Sequence, residues 1–178
     1  MSDKFDIKFS DFHWIDHTDN PDDLCAHGKA FVKIDDEILV AEDAGSWTLS
    51  AAAYHLMKSF NHNYKPNQFS AQLIPCCGHV MFIDENTNEL CILGCPNGID
   101  WTISYENNQV VHTTQWNKQV TISLEEWKTT LLALVHQVED FYAQSKTKNL
   151  PEEKADWKAY LRFWKDWHQM KKQIQGVS

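Results

Sequence analysis

Between residues 70 and 123 the apolar residues follow a strand-like pattern broken by short polar turns, which admits strands joined by tight turns and little else. "HVMFID" and "ELCILG" flank the turn "ENTN"; "IDWTISYE" and "QVVHTTQ" flank "NN"; and "QVTIS" follows "NK". Polar pairs between β-rich runs are hairpin signals, so this stretch is expected to form an antiparallel meander of about five strands.

The rest of the chain supplies what packs on that sheet. "FDIKFSDFHWI" alternates Phe5, Ile7 and Phe9 with polar residues, and "KAFVKIDDEILVA" reads as two short strands joined at Asp35-Asp36. In "SWTLSAAAYHLMKSF" the period changes, and Leu49, Ala52, Ala53, Leu56 and Phe60 predict a helix over about 49–61, capped by Thr48 or Ser50. Ser123 stands three residues before Glu126, the spacing of a capping box, and opens a stripe from Leu124 to Phe141. Pro151 suits the first turn of a last helix that ends near Gly176. The expected architecture is α+β: one domain over 1–178, a mostly antiparallel sheet with about three helices packed on it.

Composition narrows the function. No run of about 18 apolar residues exists to span a membrane, and "MSDKFDIKFSDF" lacks the apolar core of a signal peptide. A cytoplasmic protein is the expectation. The net charge of −9 is uneven: residues 1–45 carry −8, residues 46–144 carry −5, and residues 145–178 carry +4. An acidic body disfavours nucleic acid, whose affinity rests on Lys and Arg neutralising phosphates. A basic protein partner is favoured instead, since complementary charge speeds encounter.

Four of the five cysteines fall in "IPCCGH" (74–79) and "CILGCPNGIDW" (91–101). An odd count with two adjacent cysteines argues against a disulfide framework. Structural zinc takes four Cys or His ligands, and Cys76 or Cys77 with His79, Cys91 and Cys95 offers such a set. Strand alternation opposes it. With "ENTN" as the turn, Phe82 faces Cys91; Cys76, Cys91 and Cys95 then share one face, and Cys77 and His79 the other. No metal site is therefore assigned, and the segment is expected to be core strand. A cysteine hydrolase would need a thiolate oriented by a base, with Cys76 or Cys77 near His79, or Cys95 near His112 and Asp100, but no nucleophile motif surrounds any of them. Asn97-Gly98 in "GCPNG" is expected to turn through positive φ.

Two surfaces are candidates for partner binding. "HWIDHTDNPDDLCAH" places Asp16, Asp19, Asp22 and Asp23 in an acidic loop, with His13, His17 and His27 around it. Its spacing fails the calcium loop, so presenting carboxylates to a basic partner is its simplest job. On the last helix, Phe163, Trp167 and Met170 are read as an outer edge exposed for contact.

"DNPDDLCAHG", "LIPCCGH", "GCPNGIDW" and "FWKDW" together resemble a family of uncharacterised bacterial proteins, a likeness over nearly the whole chain that assigns no residue a role. In size, acidity and tryptophan content the chain also resembles the immunity proteins of bacterial toxin systems, small cytoplasmic α+β domains. The functional expectation is a non-enzymatic, acidic protein-binding domain, of the kind that inhibits a basic partner, with no cofactor. A zinc-binding structural domain and a cysteine-dependent hydrolase are the alternatives.

Overall fold

In a computed structural model, which describes residues 4–76 and 80–176, the chain forms nine strands and three helices among the described residues. The first sheet contains β1 (Phe5–His13), β2 (His27–Ile34), β3 (Glu37–Val40) and the short β4 (Trp47–Thr48). Strand β2 pairs antiparallel with β1 along its length, and with β4 near its start and β3 near its end. Helix α1 (Leu49–Lys58) follows. A two-stranded hairpin of β5 (Val80–Ile83) and β6 (Leu90–Leu93) comes next, then a three-stranded sheet of β7 (Thr102–Glu106), β8 (Gln109–Thr113) and β9 (Gln119–Ser123). Helices α2 (Leu124–Ala143) and α3 (Lys154–Gln175) close the fold. The α+β reading stands, and no described helix is long and apolar enough to cross a membrane.

Turn chemistry sets the hairpins where the sequence placed them. Asp35, Asn88, Asn107, Asn108 and Asn117 all adopt positive φ, the conformation that tight turns demand and that Asn and Asp tolerate best. Phe82 faces Cys91 as expected. At the start of α2 the Glu126 amide donates to Ser123 Oγ at 3.1 Å, and α3 ends at Gly176 with φ of 72°.

Three expectations need correction. The meander is not continuous: β6 and β7 belong to different sheets, and the segment between them bonds instead to Ile74 through Ile99. Gly98 does not have positive φ; glycine is needed there for room, because a Cβ would lie 2.3 Å from Gln72 Oε1. Helix α1 has no side-chain cap at Thr48; the Ala26 carbonyl accepts from the Leu49 and Ser50 amides and satisfies the helix start from across the fold.

Helix α1 is the centre of the core. Every residue from Leu49 to Met57 is buried, so β2, α2 and α3 pack around it. Around this centre three tryptophans are fixed by their indole donors, since a buried N–H favours an acceptor. Trp127 Nε1 donates to Tyr105 Oη at 2.8 Å, Trp167 Nε1 to Glu139 Oε1 at 3.0 Å, and Trp101 Nε1 to His112 Nδ1 at 3.0 Å. That last bond forces the His112 proton onto Nε2, with the ring stacked on Phe5 at 4.3 Å.

Burial holds His112 down at about 3 and His55, whose Nδ1–H donates to the Gln72 carbonyl, down at about 4. An unfolded histidine titrates near 6.5. Between pH 6.5 and about 4 the unfolded chain therefore binds more protons than the native one, and stability falls as pH falls through that window. Urea unfolding at pH 4.5 is expected to show a loss of about 3–5 kcal/mol relative to pH 7, and His112→Gln to remove about half of that pH dependence. Close approach gives a second expectation. A Cβ on Gly28 would lie 2.6 Å from the Ser10 carbonyl oxygen and 2.5 Å from Leu49 Cδ1, so Gly28→Ala costs about 3 kcal/mol in the same assay.

Candidate functional site: an acidic cleft beside the third sheet

The acidic loop is folded back on the chain itself. Asp19 accepts from the Lys146 amide at 2.7 Å and from Lys148 Nζ at 2.9 Å, and these bonds hold its carboxyl below the usual range. Lys148 Nζ also donates to the Asn20 carbonyl at 2.9 Å and sits 3.3 Å from the centre of the Trp14 ring. Its side chain is only 6% exposed. Asp22 accepts from Asn149 Nδ2, and Asp23 from the amides of Ile15 and Cys25. The loop thus clamps the linker between α2 and α3 through Asp19 and Asp22, while Asp23 braces the loop itself, so three of the four carboxylates expected to face a partner are engaged within the chain. Asp16 is exposed. Beside it His13 and His17 stack at 4.5 Å, a pairing that the absence of a helix in this segment had not suggested.

The outer edge expected on α3 is not there. Phe163 is 1% exposed and Trp167 0%, packed against Tyr54 and Glu139, so neither reaches a partner in this conformation. The expectation failed because the helix is wrapped more widely than one sheet face would wrap it: α1, α2, β5 and β6 all touch it.

The cysteines divide three ways. Cys76 and Cys95 are disulfide-bonded, against the expectation of free thiols. Cys25 is buried, and burial, aided by the Asp23 charge, pushes its thiol up to about 12. Cys91 lies with Val80, Phe82 and Leu93 on the outward face of the hairpin, which is half-exposed rather than core strand. Cys77 and His79 lie outside the described residues. Among the described residues, no three His, Cys, Asp or Glu side chains are placed to hold a metal ion. The trio of Cys95, His112 and Asp100 is not brought together either: each has another partner, Cys76, Trp101 and Tyr64 respectively.

What the fold does assemble is a cleft of about 480 Å³ between β3 and the start of the third sheet. Strand β3 contributes Glu37, Ile38 and Leu39; the 98–101 turn contributes Asp100 and Trp101; the facing ends of β7 and β8 contribute Thr102, Thr113 and Thr114. The lining contains two carboxylates and, among the described residues, no lysine or arginine. Asp100 accepts from Tyr64 Oη at 2.8 and 2.9 Å and from the amides of Asn67 and Leu73. Burial still raises its carboxyl above the ordinary value, those bonds opposing it. Glu37 is less well served: its Oε2 is buried and receives no hydrogen bond among the described residues. At the two residues before Glu37, Asp36 engages Lys118 at 2.9 Å and Asp35 engages Lys4 at 3.0 Å. A cation entering the cleft would meet two carboxylates with hydroxyls beside them, and the partial burial of Asp100 strengthens that attraction relative to open water.

Sequence reading named Asp100 only as a member of a catalytic trio and passed over Glu37. The signal available was "DDE" at 35–37, an acidic run wholly within a hairpin, but its neighbour across the cleft is some sixty residues away in sequence.

No family model matches this chain, and comparison with curated proteins and with solved structures finds no match.

The Lys148 clamp has a measurable consequence. With its ammonium desolvated over Trp14, Lys148→Ala is expected to cost about 2 kcal/mol in denaturant unfolding, several times what an exposed lysine contributes.

Proposed function

We propose that this chain is a non-enzymatic binding domain that receives a basic protein partner on its acidic surface, in the manner of an immunity-type inhibitor. The observation that carries the reading is the cleft over Glu37 and Asp100: concave, lined by carboxylates and hydroxyls, without a basic residue among the described lining. A lysine or arginine side chain of the partner meets the carboxylates of Glu37 and Asp100 where they line the cleft, and the Ile38 and Trp101 walls accommodate its apolar stem. The net charge of −9 adds long-range attraction, felt as a faster encounter.

The acidic loop has a different part in this reading. Asp19 and Asp22 hold the linker and Asp23 braces the loop, so they shape the domain, and only Asp16 on that loop is left to add to the outward field.

The test is retention of a partner from the cells of origin on immobilised protein, at about 50 mM and about 500 mM salt, where screening differs strongly. A basic protein held at low salt and released at high salt is expected. Glu37→Gln is expected to weaken its retention about tenfold, and Glu37→Lys to abolish it. Retention that ignores salt, or that survives Glu37→Lys, would sink the reading.

A further inference from the structure

We infer that Cys76 and Cys95 form a reversible redox site that governs how firmly the β5–β6 hairpin is held to the body of the protein. The two residues are disulfide-bonded with Cα atoms 6.7 Å apart, one before β5 and one after β6, so the bond ties the base of the hairpin. Both residues are partly exposed, which gives a small thiol access to the sulfurs. Cys25, by contrast, is buried and takes no part in exchange.

The hairpin needs such a tie. Among the described residues its strands pair with each other and join neither larger sheet, and a two-stranded hairpin is marginal by itself in water. Its inner face, Met81, Ile83, Leu90 and Ile92, packs into the core, while Val80, Phe82 and Leu93 on the outer face are 51%, 38% and 43% exposed. Besides its packing on α3, the other ties are few and polar. Ser70 Oγ accepts from the Ile92 amide at 2.9 Å and donates to its carbonyl at 3.1 Å, and Lys58 meets Glu89 at 2.9 Å on the surface. A covalent bond across a sequence separation of 19 removes much of the chain freedom that an undocked hairpin would gain.

The chemistry is thiol–disulfide exchange with a low-molecular-weight thiol. Its thiolate attacks one sulfur of the Cys76–Cys95 bond, giving a mixed disulfide and releasing the other cysteine as a thiolate, which takes up a proton. A second thiolate displaces the cysteine from the mixed disulfide. The net change consumes two thiols, forms one low-molecular-weight disulfide and leaves two protein thiols; the reverse reaction consumes that disulfide. In the reduced state the hairpin opens more often, uncovering Leu90 and Ile92 and the surface they cover. In a reducing compartment such a bond is transient and reports redox conditions; in an oxidising one it stays closed.

The full chain, equilibrated across ratios of reduced to oxidised glutathione, is alkylated and mapped by mass spectrometry. Cys76 and Cys95 are expected to become labelled together as the buffer turns reducing. Hydrogen exchange of residues 80–93 is then compared in the two states. Reduction is expected to speed it on the order of 100-fold, the effect of a loop constraint of this length. Cys95→Ser is expected to show the fast rate in both buffers, and Cys91→Ser to keep the difference. If Cys95→Ser folds poorly, Cys76→Ser and the reduced wild type give the same comparison. Full labelling of both cysteines in the oxidising buffer would overturn the inference, as would equal exchange in the two states.

Discussion

Helix α1 is the constraint on which the rest depends. A helix buried on every side cannot sit on a surface; it must be enclosed, and each of its polar groups must be met from outside. Ser50 Oγ accepts from the Ala26 amide, Tyr54 Oη donates to Asp166 on α3, and His55 donates to the Gln72 carbonyl. The Ala26 carbonyl accepts from the first amides of the helix. These bonds reach the residue just before β2, helix α3 and the segment before the hairpin, so enclosing ten residues arranges most of the fold. The same enclosure keeps His55 neutral, because charging it would strand a cation away from water.

Charge is distributed by a related logic. The acidic N-terminal quarter looks like a surface for a partner, yet Asp19 and Asp22 of its loop answer the linker of residues 146–149, the region where the chain changes sign. Opposite charges far apart in sequence have found each other within one molecule. In the cleft the balance differs: Asp100 is met by Tyr64 and two amides, while Glu37 Oε2 receives no hydrogen bond among the described residues. The two carboxylates of the cleft come from β3 and from the turn that precedes β7.

Several elements were legible because their cause is local. Asn107-Asn108, Asn88 and Asn117 turn the chain by their own tolerance of positive φ, and Ser123 caps α2 by reaching an amide three residues on. The Phe82–Cys91 register follows from the length of the turn between them. The cleft was not legible, since Glu37 and Asp100 come to line it together only when β3 packs beside the start of the third sheet. Nor was the burial of Phe163 and Trp167: helical period shows that a side is apolar, but how many elements cover it depends on what packs there.

By itself the sequence determined the elements, their order, the turns and the α+β class, because periodicity and turn chemistry act over a few bonds. Tertiary structure decided that the meander breaks into two sheets, that Cys76 meets Cys95, that Asp19 is spent on Lys148, and that Glu37 Oε2 finds no donor among the described residues. These are contacts between residues distant along the chain, and they arise because enclosing α1 brings three sheets and two helices to a common core, where proximity is set by packing and no longer by sequence.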